Sequence, residues 1–281
     1  MNMHAGAPPP TPAATVVVVR DGAGSLEVLM LCRQVGLAVH GGAYVFPGGK
    51  VESGDALLEE ALCHERPRAL RDALGEPELS EDEAVALYVA AVRETYEDAG
   101  ILLAESASCE GACAVAVERA EPFADIVRRY DLRLSTLVPW SRWITPAASF
   151  TSSRRFDTRF FVCAAPEGQL ARHDVGESSE AVWLTPQEAL RRFACGEIKL
   201  LPPQFMTLTH IATFMDVASV IAAAHGRRPY VVRPVPLGEG DHRMVVYPGD
   251  ELHPQRERVM PGPTRLFFVD GRYAPAVPRP G

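Results

Sequence analysis

Phe46-Pro47-Gly48-Gly49-Lys50-Val51-Glu52-Ser53-Gly54-Asp55 and Arg93-Glu94-Thr95-Tyr96-Glu97-Asp98-Ala99-Gly100-Ile101 are the two stretches that decide the fold. The first brings an apolar approach to paired glycines. That combination ends a strand in a tight turn, where missing side chains let backbone carbonyls approach a metal or a phosphate. The second closes a helical pattern. Glu81 to Ala99 repeats apolar residues at Val85, Tyr88, Val89 and Val92, with Ser80 as N-cap, Glu83 completing a capping box and Gly100 as the stop. On such a helix Glu94, Glu97 and Asp98 stand at i, i+3 and i+4, so three carboxylates share one face. Each close pair costs a helix roughly 0.2–0.5 kcal/mol, and more if shielded from water, so a divalent cation is the natural compensation. Oxygen-only ligands favour Mg²⁺ or Mn²⁺. Arg93, four residues before Glu97, is placed to pair with it or to bond the glycine turn. A solvated acidic face is the commoner reading of such a cluster taken alone; the glycine stretch upstream tips the balance towards metal binding.

Working outward, Thr15 to Arg20 and Leu26 to Arg33 read as a hairpin around Asp21-Gly22-Ala23-Gly24. Leu132 to Ile144, Arg155 to Cys163 and Ala181 to Leu184 read as strands, and Pro186 to Phe193 and Pro203 to Ala224 as helices. From Pro229 short apolar runs between Pro/Gly turns suggest strands added to the edge of the core. Between the two stretches, Leu57, Leu58, Ala61, Leu62, Leu70 and Leu74 form an amphipathic pattern interrupted at Pro67 and Pro77, which suits a helical flap. The domain reading is a disordered Pro/Ala-rich tail over 1–14, a catalytic domain over 15–225 with an insertion at about 56–85, and a β-rich extension over 226–281.

The chain has 281 residues, 47% of them apolar and 23% charged, enough for one large domain with a real core. No apolar run approaches the roughly 20 residues that span a bilayer, so no membrane association is expected. A net charge of -8 argues against a broad nucleic-acid surface. Six scattered cysteines lack zinc-site spacing and fit reduced thiols in the cytoplasm. The N-terminus lacks a signal peptide pattern. Lysine occurs only at Lys50 and Lys199, an arginine bias that points to a GC-rich, bacterial coding sequence. Oligomeric state is not legible.

Together the two stretches resemble the Nudix box: Gly49, Asp55 and Arg93 to Ile101 fill it in order, with 37 intervening residues where the family has seven. The resemblance implies an α/β Nudix fold, a mixed β-sheet sandwiched between α-helices, here with an inserted helical flap and a C-terminal helix/strand extension. It assigns the Gly48 carbonyl, Glu97 and Asp98 to metal binding and Glu94 to metal binding or proton acceptance, with Asp55 and Arg93 supporting. Glu177, six residues before Trp183, matches a further family acid, and Glu180 is second. The departures are Asp55 and Asp98 for Glu, each a methylene shorter, and Thr95 where an apolar residue is usual. Trp140-Ser-Arg-Trp-Ile-Thr-Pro146, Arg154-Arg-Phe-Asp-Thr-Arg-Phe-Phe161 and Leu201-Pro-Pro-Gln-Phe205 resemble the peroxisomal acyl-coenzyme A diphosphatase branch.

That branch implies metal-dependent hydrolysis of coenzyme A or acyl-coenzyme A to 3′,5′-ADP and (acyl-)4′-phosphopantetheine. Such a substrate calls for cations, and Arg33, Gly49, Arg154 and Arg155 are the substrate-binding candidates, with Arg159 beside them. In a strand Arg155, Asp157 and Arg159 share one face, so only part of that motif can meet substrate. A pyrophosphatase acting on ADP-ribose, NADH or a nucleotide sugar is the rival enzyme, and a non-catalytic ligand-binding module the rival of another class. The chain ends Pro278-Arg-Pro-Gly281 without a peroxisomal Ser-Lys-Leu signal, so the cytoplasm is the expected location.

Overall fold

Four consecutive valines, Val16 to Val19, lie in the middle of β1 (Thr11–Asp21) and are wholly buried in the computed structural model. A strand buried on both faces reads as such an unbroken β-branched run. The structure describes residues 8–36, 41–55, 66–105, 122–147, 154–174 and 176–275. β1 begins at Thr11 rather than Thr15: Thr11 to Ala14 pair along their length with a later strand, so the expected tail is shorter by these residues.

The predicted hairpin leads into β2 (Leu26–Arg33), and β3 (Ala43–Val45) pairs with β2. Next, β4 (Gly48–Lys50) folds back on β1, setting Gly48 opposite Thr15. The insertion supplies α1 (Pro67–Leu74) ahead of α2 (Glu81–Ala99). Pro67 opens α1 instead of interrupting it, as the missing N–H permits at a first helical position. Leu70 and Leu74 are buried in the core, so the described part of the insertion is packed down, while Leu57, Leu58, Ala61 and Leu62 lie outside the described residues. The Ser80–Glu83 capping box and the left-handed Gly100 stop of α2 match the sequence reading.

A small pair, β5 (Ala104–Glu105) with β6 (Asp131–Leu132), brackets α3 (Phe123–Arg129). Then follow β7 (Val138–Ile144), β8 (Phe156–Ala164), β9 (Ser178–Leu184), α4 (Pro186–Ala194) and β10 (Lys199–Leu200). The helix expected over Pro203 to Ala224 is two: α5 (Pro202–Ile211) and α6 (Val217–His225). Asp216 breaks it by capping α6 through a reciprocal box with Ser219. β11 (Tyr230–Val232) joins the main sheet, but the other C-terminal runs form a sheet of their own. This is an antiparallel meander of β12 (Val235–Leu237), β13 (Met244–Val246), β14 (Arg265–Val269) and β15 (Arg272–Ala274).

The main sheet runs β10-β3-β2-β1-β8-β7-β11, with β4 on β1 and β9 on β2. It is mixed, since β1 and β8 are parallel while β1–β2 and β7–β8 are antiparallel. Alternation along β1 sends Val16 and Val18 to the face covered by α2 and Val17 and Val19 to the face covered by α4, α5 and α6. The sheet is thus sandwiched between helices, as the resemblance implied.

Candidate active site

The glycine turn and the carboxylate helix meet. Thr15 stands between Gly48 on one edge of β1 and Phe160 on the other, so β1 carries the turn to the C-terminal end of α2. A Cβ at Gly48 would lie 2.5 Å from the Ala14 carbonyl oxygen, and one at Gly49 would lie 2.4 Å from Glu94 Oε1. Gly48 needs glycine because it meets backbone there, whereas a side chain at Gly49 would displace the Glu94 carboxylate. The Gly48 N–H donates to Asp98 Oδ2 at 2.9 Å, which fastens the turn to the helix.

Arg93 is the clamp of the site. Its Nε and Nη2 donate to the two oxygens of Asp55 at 2.8 and 3.1 Å, Nη2 also to the Lys50 carbonyl at 3.0 Å, and Nη1 to Glu94 at 2.9 Å and Glu97 at 2.8 Å. Asp55 is only 1% exposed and also accepts the Glu52 N–H at 2.7 Å. The shorter acid therefore suffices at this position, because arginine reaches across to it. Thr95 is fully buried, and its hydroxyl donates to the Ala91 carbonyl at 2.7 Å, which removes the cost of a polar group at an apolar position.

On the far side, β2 and β9 slip register between Cys32 and Arg33. The slip brings Arg33 beside the loop that carries Glu177, where the Gln34 N–H donates to the Glu177 carbonyl at 2.9 Å. Arg33 and Glu177 both act electrostatically on Asp98. The Nε of Arg33 is buried without a hydrogen-bond partner, a donor suited to an anionic oxygen.

A sequence profile of the NUDT19 Nudix domain matches residues 4–211. This chain is a Nudix hydrolase of the NUDT19 family. It is 31% identical to the acyl-coenzyme A diphosphatase NUDT19 of Gallus gallus over 82% of this chain and 73% of that protein. The Homo sapiens protein of the same name is 34% identical over 61% of this chain and 52% of its own length. A Nudix hydrolase from Alicyclobacillus acidocaldarius superposes with a TM-score of 0.60 at 27% identity, covering 78% of this chain and 97% of that one.

The Nudix helix, α2, holds its carboxylates under tension. Burial raises the pKa of Glu94 from its ordinary 4.5 to about 7, opposed by the Arg93 charge and helped by those of Asp98 and Glu97. Burial likewise lifts Asp98 from 3.8 to about 6, against the Gly48 N–H, with Glu177 and Glu97 adding to the rise. Both folded values lie above the ordinary ones, so ionisation opposes folding. Without a cation, Glu94 leaves stability untouched below about pH 4. It subtracts increasingly as pH rises towards about 7 and levels off above. Glu94→Gln, compared with the parent in EDTA, is therefore expected to gain relative thermal stability between pH 4.5 and 7. A constant difference in unfolding midpoint over that range would refute the assignment.

Among the described residues, no three His, Cys, Asp or Glu side chains converge closely enough to hold a metal ion as they stand. Arg93 draws Glu94 and Glu97 to itself, and Asp98 is turned to the Gly48 N–H. The expected set of Gly48, Glu94, Glu97 and Asp98 is thus present as neighbours but not as a formed coordination cage. Their chemistry fits a hard divalent cation: the donors are all oxygen, and two carboxylates carry raised pKa values that an added positive charge would lower.

Arg154 and Arg155 are not brought to the box. Arg155 donates to the carbonyls of Thr145 at 3.2 Å and Pro8 at 2.7 Å, and Arg154 is exposed beside it. They lie at the β8 end roughly 17 Å along the strand from Phe160, the residue level with Gly48. The neighbouring Arg159 is committed to Glu76 and Asp157. Glu180 receives the Tyr44 hydroxyl at 2.7 Å and serves β3 rather than the carboxylate cluster. Both expectations for Arg93, pairing with Glu97 and bonding the glycine turn, are met, the second through the Lys50 carbonyl, whereas sequence reading missed the roles of Glu76 and Arg142. Glu76 carries no local signal, since its partners lie 66 and 83 residues further along the chain.

Proposed function

We propose that this Nudix hydrolase cleaves the diphosphate of coenzyme A or acyl-coenzyme A, giving 3′,5′-ADP and (acyl-)4′-phosphopantetheine, with Mg²⁺ or Mn²⁺. The observation that carries the reading is the junction of the Gly48–Gly49 turn with Glu94, Glu97 and Asp98 under the Arg93 clamp, in a chain whose relatives are named acyl-coenzyme A diphosphatases. Gly48, Glu94, Glu97 and Asp98 would hold the cation, which supplies Lewis acidity and neutralises diphosphate charge. Arg33 offers its unpartnered Nε to a phosphate oxygen. Water adds to one phosphorus, the bridging P–O bond breaks, and the bridging oxygen leaves with the other phosphate.

Glu94 is the proton acceptor this geometry favours. Its Oε1 is held by Arg93, and a cation bound beside it would lower its raised pKa and leave it ionised at neutrality, able to accept a proton. Glu177 is the alternative acceptor, close enough to act on Asp98. Gly49, lacking a side chain, lets the turn lie directly against the Glu94 carboxylate. In the described residues Cys32, Cys163 and Cys195 are unpaired, which supports a reducing compartment such as the cytoplasm. No described helix is long and apolar enough to cross a membrane.

The test is a product-resolved panel. Purified protein with Mg²⁺ or Mn²⁺ is offered coenzyme A, several acyl-coenzymes A, ADP-ribose and NADH, and the products are read by mass spectrometry. Formation of 3′,5′-ADP with the matching phosphopantetheine is expected to exceed AMP release from the other two substrates. Preferential AMP release would instead make the chain a nucleotide-diphosphate pyrophosphatase, and ligand binding without turnover would make it a sensor.

A further inference from the structure

The box insertion is fastened at each end by a buried carboxylate: Asp55 under Arg93, and Glu76 under Arg159 and Arg142. Glu76 is 5% exposed. Its oxygens accept Arg159 Nε at 3.0 Å and Nη2 at 2.5 Å, and Arg142 Nη1 stands 2.6 Å away. Asp157 completes the group, taking Arg142 Nε and Nη2 at 2.9 and 2.7 Å and facing Arg159 Nη1 at 3.1 Å. Two guanidiniums and two carboxylates balance there, with Glu78 at 3.2 Å from Arg142 on the open side.

This group closes a circuit around the first half of α2. Left-handed Gly75 ends α1 immediately before Glu76. Further back on α1, the Leu70 carbonyl accepts the Tyr88 hydroxyl at 3.2 Å. The Tyr88 ring packs on Phe161 with centroids 4.7 Å apart, and Phe161 projects from the same face of β8 as Arg159. Contacts therefore run from Glu76 through Arg159, β8, Phe161, Tyr88 and Leu70 back to α1. Tyr88 precedes Glu94 by six residues, about 9 Å along a rigid helix.

We propose that Glu76 is a positioning residue for the hydrolytic carboxylates. Through this circuit it fixes the height and rotation of α2, so that Glu94, Glu97 and Asp98 meet the glycine turn. The inference rests on the metal-binding reading given above. Arg93 and the Asp98–Gly48 bond secure the C-terminal end of the helix, core packing of Val85, Val89 and Val92 holds its first half against the sheet, and the Glu76 group adds the polar tie that joins α1 to β8 beside it. A misplacement near 1 Å is enough to cost about 10²-fold in rate.

Glu76→Gln and Tyr88→Phe test it, the second breaking the circuit without touching a charge. Calorimetric titration with Mn²⁺ is expected to show affinity falling about tenfold in the first, the low end of the range that supporting residues command, and about threefold in the second, which loses a single neutral hydrogen bond. On coenzyme A, kcat should fall in the same order while KM stays within about twofold. Glu76→Gln leaves two guanidiniums facing one carboxylate, so Glu76→Gln/Arg159→Gln is measured too. Restoring the charge balance should recover the lost thermal midpoint but not the Mn²⁺ affinity. Parental Mn²⁺ affinity and kcat in both single variants would overturn the proposal, whatever their thermal midpoints, as would full recovery of affinity in the double variant. If the parent binds Mn²⁺ without hydrolysing coenzyme A, the substrate reading falls, and the calorimetric comparison still decides the role of Glu76.

Discussion

Glu97→Gln is expected to lower diphosphate hydrolysis by on the order of 10³-fold while leaving the fold intact. Glu97 is the most open of the three helix carboxylates: its side chain is 45% exposed, against 15% for Glu94, and it accepts the Arg93 Nη1 bond at 2.8 Å. Glu97 is the half-exposed member of its i,i+4 pair with Arg93, so the pair contributes little to stability, on the order of 0.5–1 kcal/mol, and glutamine still offers Arg93 a carbonyl oxygen. What disappears is a full negative charge at the position best placed to reach a cation. The measurement is kcat on coenzyme A at saturating Mn²⁺, alongside the urea midpoint. A rate within tenfold of the parent would remove Glu97 from the machinery. A collapsed midpoint would show that the residue is structural.

Arg93→Met is expected to cost roughly 3–5 kcal/mol of stability, the range for breaking a buried ion pair by removing one partner. Its loss leaves Asp55, 1% exposed, and Glu94 without the guanidinium that faces both, and releases the Lys50 carbonyl. Arg93→Lys keeps the charge but cannot reproduce the two-pronged contact with Asp55 or reach Lys50, Glu94 and Glu97 together, so it should recover only part of the loss. Equilibrium urea unfolding reads both. A lysine variant indistinguishable from the parent would mean that charge alone, rather than the fork geometry, joins the two halves of the box.

How much of this was legible beforehand depends on the range of the interactions. The Nudix helix was readable to the residue because its start and stop are local: Ser80 with Glu83, and Gly100. The hairpin and the buried valine run were equally local. The pairing of the glycine turn with Glu94 and Asp98 was readable through the family pattern, although 37 residues intervene. Misreadings arose where a competing signal was weak or distant. Asp216 with Ser219 divides an apolar stretch that periodicity alone joins, since Val217 to Ala224 continues the composition of α5. Arg155 and Arg159 look like phosphate ligands in one dimension. Arg155 instead donates to the carbonyls of Thr145 and Pro8, and Arg159 is paired with the carboxylates of Glu76 and Asp157, partners that only the folded sheet assembles. The C-terminal strands were seen individually, but whether a short strand extends the old sheet or begins a new one is decided by pairing, which composition does not encode.

The long spacer between Asp55 and Arg93 has an entropic side. Closing a flexible loop costs free energy that grows only with the logarithm of its length, so 37 residues in place of seven add about 1.5 kcal/mol. Burying a leucine returns roughly 1.5–3 kcal/mol, and the insertion buries both Leu70 and Leu74. The burial thus offsets the added closure cost and goes towards the entropy of ordering α1. The catalytic geometry constrains where this segment leaves the core, at Asp55, and where it returns, at α1 and Glu76, and sets no fixed number of residues between those points.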